Sequence, residues 1–189
     1  MHAAQLWIAL PDAQRHGEPA FVHHAALPVV QTEGFRATVL AGHAFDQRSP
    51  VQLHSDLVGV DLTAARAARM RIDLEPGFEH ALLCLRGAAR VDAESIEPGT
   101  LLYAAPGRTQ LELRCDAAAQ LLLIGGTPFD EPLLMWWNFV ARSADEIQRA
   151  AADWNAGRHF GEVPGTQLAR VPAPDASGLK LKARPSAAR

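Results

Sequence analysis

From Phe35 to Gly126 the sequence is a succession of short apolar runs cut at intervals by Gly, Pro and Asp, and nothing else in the chain constrains its fold as much. FRATVLAGHA (from Phe35), VGVDL (from Val58), ARMRIDL (from Ala68), HALLCLRG (from His80), ARVD (from Ala89), TLLYAA (from Thr100), TQLELRC (from Thr109) and AQLLLIGG (from Ala119) each read as a β-strand. ARMRIDL and TQLELRC alternate apolar with polar residues, so each turns one face to a core and one to solvent. Glu75-Pro76-Gly77, Glu97-Pro98-Gly99 and Pro106-Gly107 put a preset φ beside a residue tolerant of positive φ, which is the chemistry of tight connections between strands. Many short strands joined this way predict a β-sandwich or barrel.

Different patterns flank the strands. QLWIAL (Gln5–Leu10) reads as one more strand, followed by a polar linker. Phe129, Leu133, Leu134, Met135, Trp136, Trp137, Phe139 and Val140 form too dense an apolar cluster to face water, so this stretch packs against something. Asp130 and Glu131 are expected to cap a short helical segment starting near Pro132. Ser143 to Glu146 is a capping box, and Ile147, Ala150, Ala151 and Trp154 recur at helical spacing until Gly157 stops the helix. Beyond Gly161 the Pro-, Gly- and Ala-rich sequence ending in a basic stretch, Lys180 to Arg189, reads as a disordered tail.

A net charge of -3 on 189 residues disfavours direct binding to nucleic acid, and the short basic end reads as a solvated tail. The longest apolar runs, Leu121–Ile124 and Leu133–Trp137, fall far short of the roughly 20 residues that span a bilayer. No signal-peptide pattern is legible at the start, so the expected compartment is cytoplasmic. Cys84 and Cys115 lie in separate strands without metal or redox spacing, and are expected to be buried, reduced thiols.

The segment GGTPFDEPLLMWWNFVAR (Gly125–Arg142) resembles a signature of the C-terminal cupin half of the pirin family. QLWIALPD, FRATVLAG and LEPGFEHALLCLRG resemble, in order, the entry to the pirin interdomain region and the first strand and central hairpin of that domain. The resemblance implies a cupin-type (RmlC-like) jelly-roll β-barrel with a C-terminal α-helix packed on it. It also implies an organisation in which 1–34 are the remnant of an N-terminal cupin strand plus linker, 35–161 the C-terminal cupin domain, and 162–189 the tail. Pirins carry two cupins, so a whole metal-binding cupin would precede Gln5, with His2 at its last strand.

A metal-type cupin needs three or four imidazole and carboxylate ligands converging in the barrel, because one ligand cannot hold a divalent ion against water. Set against the family's ligand pattern, Phe78 stands at the first His, His80 at the second, Cys84 and Leu85 near the carboxylate, and Gln110 near the last His. His80 is therefore a weak metal candidate, expected instead to be hydrogen-bonded to Glu79 or a backbone carbonyl at the barrel mouth. The adjacent pair His23-His24, together with His43 and His54, read as surface or capping residues. No nucleophile elbow, phosphate loop or dinucleotide fingerprint is present. The resemblance implies iron only in the N-terminal cupin, and associates pirins with iron-dependent quercetin 2,3-dioxygenase activity and some eukaryotic members with transcription regulators. For these residues the expectation is a binding or structural module with no catalytic residues and no cofactor. Leu6–Leu10 would be available to a second copy or a separate cupin domain.

Overall fold

The computed structural model describes residues 3–162, 165–178 and 180–182. His2 and residues 183–189 of the basic end, both singled out above, lie outside the described residues. The described residues divide into two compact units, one of His23–Pro128 and one built from those up to Val22 with those from Phe129 onward.

In the first of these, strands β1 (Val29–Thr32), β2 (Phe35–Ala41), β3 (His43–Ala44), β4 (Gln47–Arg48), β5 (Leu57–Ala64), β6 (Ala68–Asp73), β7 (Glu79–Arg86), β8 (Ala89–Val91), β9 (Glu94–Ile96), β10 (Leu101–Ala104), β11 (Gln110–Cys115) and β12 (Ala119–Gly126) follow one another. A six-stranded sheet, β1-β2-β5-β12-β7-β10, is complemented by a four-stranded one, β6-β11-β8-β9. All their pairings are antiparallel. Alternation assigns the faces: Phe35, Val60, Leu62, Leu82, Cys84, Leu121 and Leu123 of the larger sheet share one core with Met70, Ile72, Val91, Ile96, Leu111 and Leu113 of the smaller. The predicted strands are present, and β1 is an addition within the stretch read as linker. Its turn to β2 is made by Glu33 and Gly34, both at positive φ (47° and 86°), as a two-residue hairpin loop requires.

The second unit has a different core. Leu134–Trp136 (β13) and Phe139–Ala141 (β14) form an antiparallel hairpin, followed by helix α1 (Ala144–Asn155). The helical segment expected after Pro132 is thus a strand. Glu131 caps no helix but accepts from Arg142 Nε at 2.7 Å. Leu134, Phe139 and Ala141 alternate inward against Ile147 and Ala151 of α1, a period of two that the density of apolar residues masks in the sequence. Rings complete the packing, with centroids of Trp137 and Phe139 5.3 Å apart, Trp137 and Trp154 5.7 Å, and Phe160 5.5 Å from both Phe139 and Trp154. The cluster does pack, as its composition demands, although Met135 faces water.

QLWIAL forms no strand. Its backbone pairs with no ladder among the described residues; the Leu10 carbonyl instead accepts from the Arg142 guanidinium at 2.6 Å, and Pro11 opens a turn. Leu6, Trp7 and Ile8 stay about half exposed. Val171–Ala176, in the stretch read as tail, is also ordered against α1, with Ala173 and Ala176 buried. Side chains of the helix bind its backbone there, which composition cannot reveal.

The start of α1 is an electrostatic hub. The Ser143 hydroxyl accepts the Glu146 amide at 3.3 Å, while the Glu146 carboxylate accepts the Arg142 amide at 2.8 Å and an Arg15 guanidinium N–H at 3.0 Å. The Arg142 amide first, then Arg15, hold its pKa down to about 2 from 4.5. A carboxylate depressed in the folded state stabilises above its unfolded pKa, and that stability drains away as pH falls through the folded value. Glu146→Gln should therefore cost about 2 kcal/mol at neutral pH and much less near pH 2. Urea titrations at both pH values check this; an equal loss at both would assign the effect to packing.

Candidate functional site

The inward row of β7 carries His80, Leu82 and Cys84, and His80 ends it. It lies opposite Ala104 on β10 and Gly125 on β12. That last pairing shapes the site: a Cβ at Gly125 would meet His80 Cδ2 at 2.6 Å and the Glu79 carbonyl oxygen at 2.7 Å, so the imidazole approaches a position that only glycine leaves open. Phe78 flanks the ring at 6.0 Å between centroids.

His80 is 2 % exposed, and its Nδ1 finds no hydrogen-bond partner among the described residues. The expected bond to Glu79 is not made, because Glu79 turns outward and accepts from the Tyr103 hydroxyl at 3.0 Å. Burial pushes the imidazole pKa below its ordinary value, opposed in part by Glu75 and the Phe78 backbone, so the ring is neutral at neutral pH.

The other ligand-pattern positions do not gather around it. Phe78 packs against the core, Leu85 lies on the other face of β7, and Gln110 is exposed on the outer face of β11, donating to Asp73 at 2.8 Å. Cys84 is inward and fully buried, and burial pushes its thiol pKa up. Cys115 is buried, unpaired and raised for the same reason. His23, His43 and His54 are exposed and His24 is half-buried, and none joins His80 in a cluster. Among the described residues no three of His, Cys, Asp and Glu converge to hold a metal ion. An iron ion does not fit these residues, since among the described residues the inner face offers one imidazole among apolar side chains.

Residues 59–161 match the pirin C-terminal cupin domain. The chain belongs to the pirin family. It is 43% identical over 174 residues to the Pseudomonas aeruginosa protein named "Putative quercetin 2,3-dioxygenase PA1205", covering 92% of this chain and 55% of that one. A Caulobacter vibrioides protein named pirin-like is 33% identical over 170 residues, covering 84% and 55%. A crystal structure titled quercetin 2,3-dioxygenase, from Acinetobacter baumannii, superposes with a TM-score of 0.85 at 39% identity, covering 94% of this chain and 59% of that one. This pirin chain thus spans about half the length of the curated relatives it matches. No helix among its described residues is long and apolar enough to cross a membrane.

Proposed function

We propose that this chain works as a metal-free binding and structural module built on the pirin C-terminal cupin domain. One observation carries the reading: the inner face presents a single buried, neutral imidazole, His80, with Phe78 and Gly125 beside it where converging donors would be needed. The half-exposed Leu6, Trp7 and Ile8 are the surface offered to a second copy or a separate cupin domain. Two unpaired buried cysteines suit a cytoplasmic setting.

The names of the Pseudomonas and Acinetobacter relatives favour a second reading, in which a metal-type N-terminal cupin completes an iron-dependent quercetin 2,3-dioxygenase-like enzyme. Metal analysis with a quercetin assay in added Fe(II) separates the two for this chain. The module reading expects no stoichiometric iron, copper or zinc, and no turnover above a free-iron control. About one metal per chain, lost in His80→Ala, or saturable turnover that tracks folded protein, overturns it.

A further inference from the structure

Beyond residue 161, where the match to the cupin domain ends, the chain lays Ala173 and Ala176 into the core of the second unit and makes a set of backbone contacts that the proposed role does not use. The backbone of Val171–Ala173 is read by side chains at the C-terminal end of α1. Trp154 Nε1 donates to the Val171 carbonyl at 2.7 Å. Asn155 grips Ala173 from both sides, with Oδ1 accepting its amide at 2.7 Å and Nδ2 donating to its carbonyl at 3.2 Å. One side-chain amide therefore substitutes for a neighbouring strand.

The sequence of the bound segment matches this mode of reading. In Val171-Pro172-Ala173-Pro174 the prolines have no N–H, so Ala173 supplies the only amide between them, and that amide is the one Asn155 accepts. Prolines on both sides also fix an extended conformation before binding, which lowers the ordering cost. Ala173 and Ala176 are buried, whereas Val171 is 68% exposed, so what enters the site is small side chains and backbone. Arg170 anchors the start, its guanidinium 4.4 Å over the Trp154 ring and donating to the carbonyls of Gly161 at 2.7 Å and Trp154 at 3.3 Å.

We propose that the Trp154–Asn155 end of α1 is a recognition site for an extended peptide with alternating prolines, of the pattern Arg-x-Pro-small-Pro, and that Arg170–Ala176 is its exchangeable resident. A partner carrying that pattern gains the site by displacing the resident, so the segment sets the threshold for binding. The contacts are backbone-directed at Val171 and Ala173, and selective for Arg at the first position and a small residue flanked by prolines at the fourth.

The test uses the full chain with a protease site replacing Thr166–Leu168, folded and then nicked. The C-terminal fragment should stay bound through gel filtration and be displaced, with saturation, by a synthetic peptide of residues 169–178. Asn155→Ala should weaken retention at least tenfold. The same peptide with Ala173→Pro, lacking the one amide, should compete at least tenfold worse. Loss of the α1 circular dichroism on nicking would mark the segment as an integral part of the core and overturn the proposal. So would a nicked wild-type chain that sheds its fragment as fast as Asn155→Ala, or equal competition by the two peptides.

Discussion

Gly125→Ala should destabilise the His23–Pro128 unit by about 3 kcal/mol, an effect large for one methyl group. The added Cβ would meet His80 Cδ2 at 2.6 Å and the Glu79 carbonyl oxygen at 2.7 Å. The first contact is with a buried ring, and the second is with backbone in the β7–β12 strand pair, so neither atom moves freely. Gly99→Ala is the matched control. Gly99 has φ +87°, yet nothing lies within 4 Å of its added Cβ, so only the left-handed backbone cost of about 1 kcal/mol applies. His80→Ala removes the ring contact and leaves the carbonyl contact, so in the double variant the loss should fall well short of the sum of the two single losses. Guanidinium titrations followed by β-sheet circular dichroism measure the wild type, Gly99→Ala, Gly125→Ala, His80→Ala and the double variant. Additive losses in the double variant would show that ring and glycine do not touch.

The same pair of residues shows where sequence reading stops. The Pro-Gly-Phe-Glu-His pattern places His80 on a strand, but that Gly125 sits across from it depends on the β7–β12 register, a property of two segments far apart in the chain. Gln110 is the opposite case. TQLELRC alternates, and once Leu111, Leu113 and Cys115 turn inward Gln110 must turn outward, so the sequence already held the argument that removes it from the inner face. ARMRIDL and TQLELRC announce themselves because each has one wet face, and the runs of β5, β7 and β12 because they are short, apolar and bounded by turn residues. β1 and β9 are short and partly polar, and β13–β14 turns at Trp137-Asn138, with φ +49° on a tryptophan and no glycine to signal the hairpin. QLWIAL misleads in the other direction, since an apolar run becomes a strand only where a ladder partner exists. The docked Arg170–Ala176 segment is invisible to composition, because Asn155 and Trp154 supply bonds that its own residues cannot announce.

Phe139→Ala should cost about 3–5 kcal/mol in the unit built around the hairpin and α1. Phe139 is 6% exposed and stands at the middle of the aromatic cluster, with its ring centroid 5.3 Å from Trp137, 5.5 Å from Phe160 and 6.4 Å from Trp136. Truncation leaves a void between rigid planar groups that cannot collapse around an alanine. It also removes a support from Trp137, whose left-handed backbone is strained for a residue of that size and is held in place by the rings on either side of it. The four tryptophans, at 7, 136, 137 and 154, all lie in this unit and none in the other, so their fluorescence reports on it selectively. The expected result is a red-shifted emission and an unfolding midpoint at lower denaturant. Phe139→Leu, which refills most of the volume without the edge-to-face ring contact, should lose about 1 kcal/mol and keep the native emission. If Phe139→Ala unfolds at the wild-type midpoint with unshifted tryptophan emission, the ring cluster is not what holds this unit together, and its stability must come from the hub at Glu146 instead.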